Sequence, residues 1–342
     1  MSEVSDGLLR FMPGACLVDN GPDETHVLLA NHNVTFLNHD VTRLVHAFAE
    51  ALRTSSTQEQ ALVDVHAATQ FSEDLCLRVL NMLRSSGCLS SGADYARDEI
   101  DPVLNFWGAQ GLDVSRTRER LAEAAVVVVA PEPVLSVVTQ AIDTTGVRHR
   151  AFPVRPTEPL AVVDMIARLD LSEATVLAVW GLQYATLVTR QLGQQALDRH
   201  IPALFGYCSG VLGRIGPFVL PNATACIECT NLRLSAHAGT AEARVIAAIR
   251  QSTDIPCGFG YPVHPAFASA TLSLFAIELT RICLNLPPRT IGALMELTFG
   301  EAESRRRVLY RSPTCPACHP PRPERFGWDA TFRSPVLAGE QE

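Results

Sequence analysis

Ala124-Ala125-Val126-Val127-Val128-Val129-Ala130 is an unbroken apolar, mostly β-branched run that ends at once in Pro131-Glu132-Pro133. A short run without alternation has the length of a strand and the pattern of one buried on both faces, as in a parallel sheet covered by helices. Working outward, Arg148 to Val154, Thr175 to Trp180 and Ala203 to Cys208 are further strand candidates. Helical periodicity fills the intervals at Val134 to Thr145, Leu160 to Leu169 and Tyr184 to His200. Strand and helix in alternation predict a doubly wound α/β sheet. Beyond it come Ile215 to Leu220, a long apolar helix from Pro265 to Asn285, and a hairpin in which Leu294 to Phe299 is turned by Gly300 into Arg305 to Tyr310.

The residues before this block read differently. Ala15 to Val18, Thr25 to Ala30 and Asn33 to Leu37 look like short strands, the last two joined by a tight turn at Asn31-His32. Asp40 to Arg53 carries Val41, Leu44, Val45 and Phe48 at helical spacing, Ser56-Thr57-Gln58-Glu59 forms a capping box for a second helix, and Ser72 caps a third that runs to Ser86. Gly87 to Gly92 reads as a helix end followed by a linker, which divides the chain into blocks 1–91 and 92–342. Strands followed by three helices make the first block winged-helix-like. Its third helix has an apolar stripe wider than one core contact needs. Either one side of that stripe offers a groove or the helix is wedged between two domains.

At 342 residues, 47% hydrophobic and 19% charged, the chain is an ordinary globular protein of about two domains. No signal peptide is recognisable and the purely apolar runs are far shorter than the roughly 20 residues of a membrane span, so the expectation is a cytoplasmic protein with no membrane partner. The net charge of −8 repels phosphate backbones and argues against a nucleic-acid partner. All 28 basic residues are arginine. Mechanisms that use a lysine as Schiff base, general base or phosphate clamp are therefore excluded.

Of ten cysteines, Cys16, Cys76, Cys88, Cys208, Cys257 and Cys283 stand singly and read as small buried hydrophobes. The other four form Cys226-Ile227-Glu228-Cys229 and Cys315-Pro316-Ala317-Cys318. Two residues between cysteines let both thiolates of a knuckle reach one ion, and two knuckles complete the tetrahedral set that zinc prefers. With 85 residues between Cys229 and Cys315, the ion would clip remote parts of one domain. Four cysteines leave no position for a catalytic water, so the zinc is structural. His319 and Cys257 are spare donors, and two unrelated redox pairs are the competing reading.

The stretch His200 to Gly210, then Gly213 to Cys229, then Cys315 to Cys318 resembles the ThiF/MoeB and ubiquitin-activating family, in which the same order builds a structural zinc site. The likeness runs from Leu104 to Pro320 and is poorest in its nucleotide half. An adenylating member follows its first strand with a glycine-rich turn whose N–H groups cradle phosphate. Here two prolines without N–H donors flank the carboxylate of Glu132. Ala178-Val179-Trp180-Gly181 stands where the family has a metal-binding aspartate, and the family's lysine is missing. No ATP is expected to bind.

A winged-helix-like block ahead of a degenerate ThiF-like one is similar to the recognition elements of ribosomal-peptide (RiPP) biosynthesis, which resemble PqqD. The whole chain looks like the ocin-ThiF-like partner proteins of azole-forming and thiopeptide pathways. What that resemblance implies is a non-catalytic partner. The leader of a precursor peptide adds as a strand to the small sheet and lies against the third helix, and a separate YcaO-type cyclodehydratase forms azolines from cysteine, serine or threonine. The candidate peptide-binding residues are the edge Asn33, Val34, Thr35, Phe36 and Leu37, facing Leu75, Val79 and Met82, with Arg78 and Arg84 for leader carboxylates. An ATP-dependent adenylating or amidating enzyme and a winged-helix regulator are the alternatives. The oligomeric state, a homodimer included, is left open.

Overall fold

The computed structural model describes residues 9–12, 15–29, 33–54, 57–91, 101–155, 164–239, 263–300 and 303–319. The chain divides into two compact units, Met1–Glu123 and Ala124–Glu342.

In the first unit β1 (Leu9–Phe11) pairs antiparallel with β5 (Leu89–Ser91), while β2 (Cys16–Asp19), β3 (Glu24–Leu28) and β4 (Asn33–Leu37) form an antiparallel sheet in the order β2-β3-β4. Three helices follow the sheet: α1 (His39–Thr54), α2 (Gln58–Thr69) and α3 (Glu73–Ser85). Leu44, Val45, Phe48 and Leu52 of α1 are fully buried and meet Val27, Phe36, Val79, Leu80 and Leu83 in one core. Burial of each such side chain contributes on the order of 2 kcal/mol.

Two local expectations are corrected here. The second helix is capped by Thr57, whose side chain accepts from Gln60 N at 3.1 Å, one residue later than the Ser56 box. Residues 89–91, read as linker, are β5: Gly87 in the left-handed region (φ 75) turns the chain out of α3, and Cys88 N bonds Leu83 O. Leu89 then pairs with Phe11. A three-residue strand is too short to display alternation. The unit also includes α4 (Pro102–Ala109), capped by Asp101, and α5 (Val114–Glu123), so contacts divide the chain at Glu123 whereas the sequence reading ends the first block at Ser91. The expected turn at Asn31-His32 lies outside the described residues.

The second unit is a seven-stranded mixed sheet in the order β12-β11-β10-β9-β8-β6-β7. Its parallel part is β6 (Val126–Pro131), β7 (His149–Val154), β8 (Val176–Trp180) and β9 (Ala203–Ser209); β10 (Leu212–Val219), β11 (Ala293–Thr298) and β12 (Glu303–Val308) continue it antiparallel. Helices cover both faces, as the alternation of elements predicts. On one, Val127, Val129, Leu177, Val179 and Phe205 cluster with Leu192 of α7 (Leu187–Asp198) and Ile227 of α8 (Ile227–His237). On the other, α6 (Glu132–Asp143) lies against β6 and β7, and α9 (Pro265–Cys283) against β9, β10 and α6. Gly206 makes that second contact possible, because a Cβ there would lie 2.8 Å from Phe275 and 2.9 Å from Trp180. By length and composition α9 could cross a membrane, but its Leu272, Phe275, Ala276 and Leu279 are core. The hairpin turns at Gly300 (φ 92), and its second strand begins two residues earlier than expected. Of the expected helix Leu160 to Leu169, residues 160–163 lie outside the described residues and 164–167 are helical.

Candidate functional site

The cysteine knuckles come together at the start of α8. Cys226 caps α8, its Sγ accepting from Cys229 N at 3.5 Å, and Ser312 N donates to Cys229 Sγ at 3.3 Å. Sulfur separations are 3.7 Å for Cys226–Cys229 and 3.5 Å for both Cys226–Cys315 and Cys229–Cys318, with all four within 4.8 Å of one another. Sulfurs about 2.3 Å from one tetrahedral ion lie roughly 3.8 Å apart, so the quartet fits zinc. Three of the four are buried and Cys318 is half-buried. Zinc bound there would be held by Cys226, Cys229, Cys315 and Cys318 and would supply a cross-link. Hydrogen bonding to Cys229, then burial, pushes the Cys226 thiol up; the same bond, helped by the Ser312 N–H, pulls Cys229 down to about 4, and burial pushes Cys318 up to about 11. A divalent cation bound there would favour the thiolate form of its ligands.

Spacing alone did not reveal what aligns the two knuckles. Arg311 donates to Asn222 O at 2.6 Å on the first loop and to Cys318 O at 3.2 Å on the second, and its Nη2 lies 3.0 Å from His319 Nδ1. His319 is thus engaged outside the quartet, and Cys257 lies outside the described residues.

At the carboxyl end of β6 no loop intervenes. The strand ends at Pro131, which is the N-cap of α6 and makes no side-chain cap bond, and Pro133 sits in the first turn. Glu132 faces Arg155 at 3.0 Å. A helix N-terminus attracts phosphate through free N–H groups and the helix dipole. Here a proline removes one donor and a carboxylate already occupies the end.

The candidate peptide-binding residues separate into two kinds. β4 is an edge strand, pairing with β3 alone among the described residues. Asn33, Thr35 and Leu37 are exposed, Leu37 at 66%; Val34 is half-buried and Phe36 buried. Thr35 Oγ1 lies 2.9 Å from His26 Nδ1. On α3, Val79 is 1% exposed and belongs to the core with Phe36, Leu75 is half-buried against it, and Met82 is 46% exposed. Arg78 is exposed and paired with Asp74 at 3.1 Å, and Arg84 is exposed. β4 and α3 thus share one core cluster, and their outward-facing members are Asn33, Thr35, Leu37, Arg78, Met82 and Arg84.

A polar line in the second unit, buried except at Arg214 and Arg307, leaves no local pattern in the sequence. Asn231 of α8 donates to Tyr184 O at 2.8 Å; the Tyr184 ring stands edge-on to Tyr207 with centroids 4.8 Å apart; Arg214 donates to Tyr207 OH at 2.7 Å and to Glu296 at 2.8 Å. Arg307 closes the line on the other oxygen of Glu296. Burial works against the Arg214 charge, yet Tyr207 and Glu296 hold it protonated. Arg214 is directly opposite Tyr207 and Glu296 across three strands, a match visible only once register is known.

Neither a protein-family model nor a curated protein sequence matches this chain. Solved structures do. The heterocyclase TruD matches with a TM-score of 0.67 at 18% identity over 92% of this chain and 43% of its own. The microcin C7 biosynthetic enzyme MccB in complex with N-formylated MccA matches at 0.61, with 13% identity over 91% of this chain and 99% of its own. E. coli MccB with ATP matches at 0.62 with the same identity and coverage. The chain therefore spans less than half the length of the heterocyclase. Matches this wide take in both units, and they establish that the mixed α/β fold is shared with these proteins.

Proposed function

We propose that this chain is a non-catalytic, peptide-binding scaffold of RiPP biosynthesis. Its first unit is a PqqD-like, winged-helix-like recognition element that receives the leader of a precursor peptide. The second is a ThiF-like frame, stapled by a structural zinc, that presents the peptide to a YcaO-type cyclodehydratase for azoline formation. The observation that carries the reading is the outer edge of β4, unpaired among the described residues, with exposed Asn33, Thr35 and Leu37. An extended peptide can add there through main-chain hydrogen bonds, with neighbouring side chains setting register. Support also comes from the shared fold, since TruD is a heterocyclase and MccB has been solved with MccA. Binding is the backbone's task in this account; Arg78 and Arg84 add charge for leader carboxylates, and Leu75 and Met82 line the near side.

A second reading, an adenylating or amidating enzyme, is favoured by the likeness to MccB, a biosynthetic enzyme that has been solved with ATP. The β6–α6 junction argues against it, because Pro131, Glu132 and Pro133 occupy the turn where phosphates would rest. Calorimetry with Mg-ATP and pyrophosphate exchange separate the two. The scaffold reading predicts neither heat of binding nor exchange by the isolated chain, and a micromolar dissociation constant with exchange would establish the enzyme instead.

A further inference from the structure

β12 is the outermost strand of the large sheet, and among the described residues it pairs with β11 alone. Ser304 to Val308 are exposed at every position. Both side-chain faces of the strand therefore meet solvent, and among the described residues no strand pairs with its outer edge. Three consecutive arginines, Arg305-Arg306-Arg307, lie on this edge in a chain whose net charge is −8. Strand alternation sends Arg306 to one face and its two neighbours to the other. Two of the guanidinium groups are engaged as follows: Arg306 Nε donates to Arg289 O at 2.9 Å, and Arg307 pairs with Glu296, which the half-buried Arg214 holds at 2.8 Å.

We propose that β12 is a docking edge for an acidic, extended segment of a partner protein, which adds to the sheet as a further strand while its carboxylates meet Arg305, Arg306 and Arg307. Charge selects this occupant. Natural sheets protect open edges with charged side chains, and a second copy of this chain pairing through the same edge would set arginine against arginine, which is destabilising. The same row rewards a strand of opposite sign, so it both excludes self-pairing and specifies a partner. Glu296 pairs with Arg307, while Arg306, whose Nε donates to a main-chain oxygen, keeps a charge that the partner's carboxylates can meet. Val308 and Tyr310, 51% and 65% exposed, continue the edge with apolar surface for alternate side chains of the added strand. The proposal does not rest on leader recognition, because β4 and β12 belong to different units.

The test uses the full chain and a fluorescein-labelled synthetic peptide of alternating valine and glutamate. Anisotropy should saturate, and hydrogen exchange should slow in residues 303–308. A lysine-for-glutamate peptide should fail to bind, and so should the acidic peptide N-methylated at alternate residues. Arg305→Glu combined with Arg306→Glu should weaken binding about tenfold or more, measured on protein whose circular dichroism shows the native fold. Three results would each overturn the proposal: no binding of the acidic peptide, equal binding by the double variant, or equal binding of the N-methylated peptide, which would mean charge without strand addition. A leader peptide titrated in parallel keeps the two edges apart. If its affinity falls in the β12 variant and not in β4 variants, the β12 edge stands and leader recognition at β4 fails.

Discussion

In the second unit four thiols from two knuckles converge to within 4.8 Å of one another, whereas in the first unit the candidate binding element offers solvent a row of backbone groups and three exposed side chains of β4. What enforces each site differs accordingly. On the proposed function the quartet, as a zinc site, would be specified by side-chain chemistry and would lose its ion on one replacement, whereas the edge, as a leader site, would be specified by topology and would fail when an outward N–H is removed. A site of the first kind would contribute to stability, and one of the second kind would add none until its ligand arrives.

That contrast can be broken most forcefully at the quartet. Cys226→Ser or Cys315→Ser should abolish binding of one zinc per chain and cost on the order of 4 kcal/mol, a fall in melting temperature of roughly 10 °C for a unit of this size. Elemental analysis and calorimetry measure both. A metal-free wild-type protein of unchanged melting temperature would remove the distinction between the units.

The same helix of the first unit sharpens the comparison at two positions. Val79→Asp places a carboxylate in a core where the native side chain is 1% exposed, and it should unfold the first unit at a cost of about 3 kcal/mol or more. Met82→Asp alters a residue 46% exposed and should leave stability within about 0.5 kcal/mol while weakening leader binding. Urea melts followed by circular dichroism compare them, and equal losses would mean that α3 has no outward face to offer.

The smallest effect concerns the latch that ties β2 to α1. Asp19 accepts from His46 Nε2 at 2.8 Å and from Thr25 Oγ1 at 2.7 Å. The His46 bond first, then that of Thr25, holds its carboxyl below the ordinary value. A depressed folded value stabilises the protein above the ordinary carboxylate pKa, and the contribution is lost as pH falls through the folded value. Asp19→Asn should therefore be modestly less stable than wild type near neutrality, with the gap closing in acid. A gap that widened as the pH fell would assign the wrong sign to the latch.

How much of this was legible in the sequence follows the same division. The valine run, the helix after it and both knuckles could be read directly, because burial on two faces and paired cysteines leave patterns in spacing. Strand β5 could not, since three residues carry no periodicity, and α4 and α5 were missed although Asp101-Pro102 is a cap followed by a favoured first-turn proline. Among single cysteines, Cys76, Cys88 and Cys208 are buried as expected, while Cys16 is exposed on β2, an edge strand of the small sheet. Val79 and Met82 look alike in a helical stripe, and only packing separates the core residue from the exposed one. Arg311 and the line from Asn231 to Arg307 depend on contacts between segments remote in the chain, which no local pattern records.

The central claim, that a leader peptide adds to β4, is tested most directly by anisotropy titration of a labelled leader into the full chain and into Val34→Pro and Thr35→Pro variants. In a strand adjacent N–H groups point to opposite sides. One of the two prolines therefore removes an outward donor and the other disturbs the ladder to β3. The account predicts that wild type binds the leader half of a cognate precursor and not the core half, and that one proline variant keeps its circular dichroism while losing binding. Unchanged binding by both variants in folded protein would contradict it.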